Sequence, residues 1–298
     1  MKSGFAAIVG RPNVGKSTLL NSILGEKVAI ISDKPQTTRN TIRGIYTRRP
    51  ENGGSVQIVF IDTPGIHKPR NKLGGYMTDM AVNTFKEVDV IIFIVDDELS
   101  AGKGDKYILN MLGEAETPKI LAINKIDIIE PDKFRRIYDE YEKTGAFRHI
   151  FGISAKEGKN VETLTDALES IMNEGPMYFP EDMVTDSPER FIAAEIIREK
   201  ALMFLEEEVP HGVAVEIENF SELPRLTKIS AVIYCEKKSH KGIIIGKDGR
   251  KLKGIGKSAR IEIEALLGVR IFLGLWVKVQ ENWRDDARAL SSLGYAKE

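Results

Sequence analysis

Gly10-Arg11-Pro12-Asn13-Val14-Gly15-Lys16-Ser17 decides the fold. The stretch fits G-x-x-x-x-G-K-[ST]. It stands between an apolar run at 5–10 that reads as a strand and a segment at 17–24 that reads as a helix, the context this motif requires. Glycines let successive backbone N–H groups wrap a phosphate, and the helix that follows points its positive end at the same anion. Lys16 is expected to bridge β- and γ-phosphate oxygens, and Ser17 to ligate Mg²⁺. Gly10, Arg11, Pro12, Asn13, Val14, Gly15 and Thr18 complete the expected cradle.

Outward from this loop, β-branched runs alternate with amphipathic stretches. Residues 42–48 and 56–62 read as strands joined by the turn Glu51-Asn52-Gly53-Gly54, too short for a crossover, so the pair is expected to be antiparallel. Residues 88–96 and 119–124 are nearly unbroken apolar runs, as in strands buried on both faces, and 150–154 is another. Helix-like segments occupy 105–114, 132–144 and 161–173. The alternation predicts an α/β domain over 1–174, a mostly parallel sheet with helices on both faces.

Three further clusters fall at strand ends. Asp62-Thr63-Pro64-Gly65 follows Ser17 by forty-five residues. Asp62 is placed to hold the magnesium, and Gly65, lacking a Cβ, to bring a backbone N–H to the γ-phosphate. Asn124-Lys125-Ile126-Asp127 follows the run at 119–123. A carboxylate at Asp127 accepts two hydrogen bonds from guanine N1–H and N2–H₂, donors that adenine lacks on that edge. Ser154-Ala155-Lys156 ends the next strand and offers a backbone N–H to guanine O6. Together these sites are expected to favour GTP or GDP over adenine nucleotides.

The set resembles the Ras-like GTPase superfamily, with 10–17, 62–65, 124–127 and 154–156 as its G1, G3, G4 and G5 boxes. Gln36-Thr37-Thr38-Arg39-Asn40 falls where that family carries its first switch. The resemblance implies Lys16, Thr38 and Gly65 as the catalytic set and Ser17, Thr38 and Asp62 as the magnesium ligands, with Thr37 the alternative to Thr38. It also implies that GTP orders 34–41 and 65–73. Where relatives place a water-orienting glutamine this chain has Ile66, next to the nucleotide loop but unable to hydrogen-bond water. Asn13 suggests a second device, a K⁺ ion held against the phosphates. His67 is read as a solvated loop residue.

Beyond 174 the pattern changes. Residues 175–188 hold Pro176, Pro180 and Pro188 without periodicity and read as a linker. A long helix at 188–208, strands at 213–217 and 226–235, a basic glycine-punctuated segment, a helix to 267 and a strand at 269–279 predict an α+β domain over 189–280, with 281–298 as a tail. The net charge of −1 conceals an asymmetry: residues 237–260 hold nine basic side chains against Asp248 alone. Such a patch calls for a polyanion.

Within it, Ile245-Gly246-Lys247-Asp248-Gly249-Arg250 resembles the G-x-x-G loop of a type II KH domain, which clamps a single-stranded backbone. Lys241, Lys251, Lys253, Lys257 and Arg260 join the expected RNA contacts, the last four as one basic ridge with few apolar anchors beside it. A Ras-like domain, a Pro-rich linker (Tyr178-Phe179-Pro180-Glu181-Asp182) and a type II KH domain together resemble the Era family of bacterial GTPases. That resemblance implies a cytoplasmic monomer that binds the 3′ end of 16S rRNA and assists 30S subunit assembly, with some peripheral contact at the inner membrane. The alternative is a membrane-surface regulatory GTPase whose basic face meets anionic lipid. Cys235 is the only cysteine, which excludes an intramolecular disulfide and cysteine-rich metal sites and fits a reducing compartment. No signal sequence is expected from the N-terminus, and the run near 90–95 is too short to span a bilayer.

Overall fold

The apolar run before the phosphate loop forms β1 (Lys2–Val9), an inner strand of a six-stranded sheet. The computed structural model describes residues 1–34, 36–49, 54–97 and 102–295. Glu51, Asn52 and Gly53 of the expected turn and residues 296–298 of the expected tail lie outside them. The chain divides into two units: Met1–Ala29, Thr38–Arg70 and Gly74–Asp186 form the first, and Ile30–Thr37, Asn71–Leu73 and Ser187–Glu298 the second.

In the first unit the elements after β1 are α1 (Lys16–Leu24), β2 (Ile42–Arg48), β3 (Val56–Asp62), α2 (Lys72–Thr84), β4 (Val90–Val95), α3 (Lys103–Gly113), β5 (Lys119–Ile123), α4 (Pro131–Glu142), β6 (His149–Gly152) and α5 (Val161–Ile171). The strand order is β2-β3-β1-β4-β5-β6. Only β2 runs antiparallel, against β3. Every residue of β3 and β4 is buried, because helices cover both faces. One face joins Val9, Phe93 and Ile123 to Ala81 of α2, Ile108 of α3 and Ile137 of α4. α1 packs on the other side against α5.

Two features of this unit depart from the sequence reading. Helix α2 was not anticipated, because the pair Gly74-Gly75 masks it; Leu73, Met77 and Ala81, spaced by four, are fully buried and reveal its inner stripe. The expected linker is fastened rather than free: Gly175 N–H donates to Met1 O at 3.0 Å, Ile45 N–H to Val184 O at 2.8 Å and Gln57 Nε2 to Phe179 O at 2.9 Å.

The second unit holds α6 (Glu189–Phe204), β7 (Ala214–Leu223), β8 (Leu226–Cys235), α7 (Lys238–Ile245), α8 (Arg250–Leu267), β9 (Ile271–Val279) and α9 (Ala287–Ser292). The sheet order is β7-β8-β9, antiparallel then parallel, so β9 is an edge strand. Alternate residues Ile229, Ala231, Ile233 and Cys235 of β8 meet Ile197 of α6 and Ile255 and Ala259 of α8 in one core. Strand β7 runs past the expected end at 217 through a bulge at Ile217/Asn219. The expected tail is part of the fold: Trp283 is fully buried, donates Nε1–H to Gly212 O at 3.0 Å and stacks on Tyr295. Also inside this unit, Glu199 of α6 accepts the Ile31 N–H at 2.8 Å, and the fully buried Arg198 donates to Thr37 O while its Nε–H donates to Glu195 at 2.8 Å.

Candidate functional site

The parallel register pairs Ile8 with Asp62, Val95 with Ile123 and Ile123 with Gly152. The loops leaving the carboxyl ends of β1, β3, β5 and β6 therefore lie side by side, where open α/β sheets take ligands. Gly15 has φ 104°, and a Cβ there would stand 2.2 Å from Asn124 Nδ2, so only glycine lets the phosphate loop close. Gly65 has the same need for a different reason: a Cβ would meet the Pro12 backbone at 2.8 Å. Ile66 N–H donates to Gly10 O at 3.1 Å, which holds the 62–65 loop against the phosphate loop.

Lys16 Nζ donates to Arg11 O at 2.8 Å. Burial lowers its pKa to about 8, against the opposing pull of Asp62 and with the added push of Arg11. Ser17 Oγ donates to Asp62 Oδ2 at 2.7 Å and lies 3.0 Å from Thr38 Oγ1, which in turn is 3.4 Å from Asp62 Oδ2. Thr37 is turned away: its hydroxyl donates to Lys34 O at 2.6 Å. Asp62 Oδ1 is buried with no hydrogen-bond partner. A lone buried carboxylate oxygen beside two hydroxyls is a hard-oxygen donor set that fits Mg²⁺.

Burial raises the Asp62 pKa to about 6, although Lys16, Ser17 and Thr38 pull it down. The carboxyl is raised above its ordinary 3.8, so the proton is held more tightly in the folded protein than in the unfolded chain. Magnesium must displace that proton. Affinity for Mg²⁺ is therefore expected to fall about ten-fold between about pH 7 and pH 5, and to change little above pH 7. Calorimetric titration of the GDP-bound protein with Mg²⁺ across that range measures it.

Asn124 acts as a staple: Nδ2 donates to Val14 O at 2.8 Å and Oδ1 accepts Ala155 N–H at 2.9 Å, tying three loops together. Asp127 is held below the usual carboxylate range, chiefly by the Ser154 hydroxyl, so it stays an acceptor at neutral pH. Lys125 pairs with Asp96 at 2.8 Å; Arg11 bonds Asp96 at 2.9 Å and Asp105 at 2.8 Å. The sequence reading missed both carboxylates; Asp96, ending the apolar run of β4, carried the only signal. Thr63 Oγ1 donates to Ile8 O at 2.8 Å, a structural bond. Ile66 stays beside the nucleotide loop through its N–H, while its side chain is fully buried in the sheet core.

In the second unit, Gly246 (φ 71°) and Gly249 (φ 72°) bracket Lys247 and Asp248 between α7 and α8. A groove of about 400 Å³ runs between Lys253, Gly256, Lys257 and Arg260 of α8 and the 271–275 stretch of β9. Lys253, Lys257 and Arg260 are exposed at i, i+4 and i+7, one helical face. Lys251 is corrected out of that row. It lies two residues before Lys253, half-buried, where a Cβ on Gly246 would meet its side chain at 2.8 Å. The expectation of few apolar anchors is also corrected: Phe272 (62%) lines the groove and Ile261 (56%), next to Arg260, is exposed.

Residues 5–125 match the family model of 50S ribosome-binding GTPases, and 208–284 that of KH domains. The chain is 58% identical over 296 residues to GTPase Era of Alkaliphilus oremlandii, covering 99% of each. It is 56% identical over 297 residues to GTPase Era of Clostridioides difficile, covering 99% of the chain and 98% of the relative. A crystal structure of Era with MgGDPNP and nucleotides 1506–1542 of 16S ribosomal RNA superposes with TM-score 0.94 at 42% identity over all of both chains. A point variant of Aquifex aeolicus Era bound to GDP·AlF₄⁻ is equally similar, with TM-score 0.94 and 42% identity over all of both chains.

Proposed function

The chain belongs to the Era family of GTPases, and on that premise we propose a GTP-driven switch whose second unit holds the single-stranded 3′ end of 16S rRNA during 30S subunit assembly. The observation that carries this reading is the convergence of Ser17, Thr38 and Asp62 beside Lys16, in a chain that also bears a basic groove.

Lys16 spans the β- and γ-phosphates while the start of α1 offers its N–H groups. Ser17, Thr38 and Asp62 would hold Mg²⁺, which would neutralise phosphate charge there. Asp127 reads guanine, with Ala155 N–H near its O6. Gly65 brings backbone N–H to the γ-phosphate. With Ile66 in the core, no side chain at that position orients water, which favours slow intrinsic turnover. Asn13, exposed at φ 66° in the phosphate loop, is the proposed K⁺ ligand. Hydrolysis should be faster in K⁺ than in Na⁺; equal rates in single-turnover assays remove the ion.

Thr38 senses the γ-phosphate, while Thr37, the preceding residue in the chain and itself part of the second unit, is held inside that unit by Arg198. That adjacency supports coupling between nucleotide and RNA, which must be reciprocal. The test is titration of an RNA copying nucleotides 1506–1542 of 16S rRNA into the protein loaded with GDP or a non-hydrolysable GTP analogue. A difference of about five-fold or more is expected; equal affinity in both states refutes coupling. Replacing Lys253, Lys257 and Arg260 by glutamine should flatten the slope of log affinity against log salt by about 2, at about 0.7 per lost phosphate contact.

The same reading puts the protein in the cytoplasm, as a monomer. Among the described residues no helix is long and apolar enough to cross a membrane. Peripheral lipid contact has no observation of its own in its favour.

A further inference from the structure

Strand β9 has two faces. Ile271 and Val277 point into the core beneath the helices, with Leu273 and Leu275 packed against it. Arg270, Phe272, Gly274, Trp276 and Lys278 alternate with them and belong to the other face, where Val232 of β8, the ladder partner of Trp276, is fully buried while the two rings on the edge strand stay exposed. Phe272 is 62% exposed and Trp276 51%. A soluble sheet does not ordinarily leave two large rings open on one strand, and here they are spaced by four residues.

Their surroundings are specific. A Cβ on Gly274 would stand 2.8 Å from Trp276 Cη2, so the indole lies folded over the glycine, on the side towards Phe272. Lys228 pairs with Phe272 in the ladder, and Lys228, Arg225 and Arg270 are exposed cations at the Phe272 end. At the far end the charges are already matched: Lys278 pairs with Glu218 at 2.7 Å, and Tyr234 Oη donates to Glu216 at 2.8 Å. Phe272 also borders the groove lined by Lys253, Lys257 and Arg260. One edge strand thus separates a basic groove from an aromatic face with exposed cations at the shared end.

We propose that this open sheet face is a second single-stranded RNA platform: a strand leaving the groove crosses β9 and stacks bases on Phe272 and Trp276, with Lys228 and Arg270 on its phosphates. Rings stack on any base, and the neighbouring cations suit a phosphate backbone rather than a second apolar surface. The inference rests on the RNA reading of the groove and adds to it, because Trp276, Lys228 and Arg270 lie outside the groove lining.

The experiment uses the full chain and two strands from the 16S 3′ end, one of about four nucleotides, the length a KH cleft clamps, and one of about twelve. The chain has two tryptophans and Trp283 is fully buried, so indole quenching reports Trp276. The long strand should quench it and the short one should not. Trp276→Ala should weaken the long strand about ten-fold and leave the short one unchanged, with Trp276→Phe restoring affinity. Equal weakening of both strands would mean a distorted groove, and no weakening an unused face; either overturns the platform. So would a Trp276→Ala effect seen on anionic vesicles, or on self-association by sedimentation, and not on RNA. If the unaltered protein bound neither strand, the groove reading itself would fall, a result distinct from all of these.

Discussion

Asp127→Asn is expected to weaken GTP and GDP binding about 10³-fold while improving binding of xanthine nucleotides. The carboxylate supplies two charge-assisted acceptors to guanine N1–H and N2–H₂. Each such bond is worth roughly 1.5–3 kcal/mol, so losing their charge and one acceptor costs on the order of 10²- to 10⁴-fold. An asparagine amide presents one acceptor and one donor, the complement of the N1–H and C2 carbonyl of xanthine. The Ser154 hydroxyl that orients the group can still donate to the amide oxygen, so the loop should hold its shape. Competition of GTP, XTP and ATP for a fluorescent nucleotide measures all three affinities. A loss under about ten-fold, or acceptance of ATP by the unaltered protein, would remove Asp127 as the guanine reader.

Lys16→Ala should lower hydrolysis on the order of 10³-fold, since it removes the charged donor aimed at the transferring phosphate. A companion measurement separates this from damage to the fold. Burial disfavours the ammonium, its pKa standing at about 8 against an ordinary 10.5. A lysine with a lowered folded-state pKa costs stability below that value, and the cost fades as pH rises from about 8 towards 10.5. Near neutrality the nucleotide-free Lys16→Ala protein should therefore melt no lower than the parent, while the rise in melting temperature on adding GTP disappears. A variant that melted well below the parent without nucleotide would assign Lys16 a structural role instead.

Much of the nucleotide site was legible because its chemistry is local in sequence. A phosphate loop, a strand-end aspartate and an N-K-x-D run are each contiguous, and β1, β3, β5 and β6 carry them to one sheet edge. The choice between Thr37 and Thr38 was not legible, because it depends on which hydroxyl turns inward. The structure turns Thr38 towards Ser17 and Asp62 and ties Thr37 to Lys34 O. Partners distant in sequence were also hidden: nothing in the chain announces that Arg11 will find Asp105 or that Arg198 will reach Thr37. Lys251 was misplaced because counting basic residues along α8 ignores that two positions turn a side chain by about 200°. The aromatic at the groove's edge, Phe272, was missed because β9 reads as core on either face, and the exposure of Phe272 and of Trp276 on the other face appears only in the fold.

The fully buried Cys235, the single cysteine, offers an unplanned instrument. Burial also pushes its thiol above the ordinary value, which keeps it in the unreactive protonated form. Alkylating reagents reach it only when the three-stranded layer around β8 opens, so its modification rate serves as a clock for breathing of that half of the molecule alone. A cysteine introduced elsewhere would label first and by itself, leaving the native thiol to keep time.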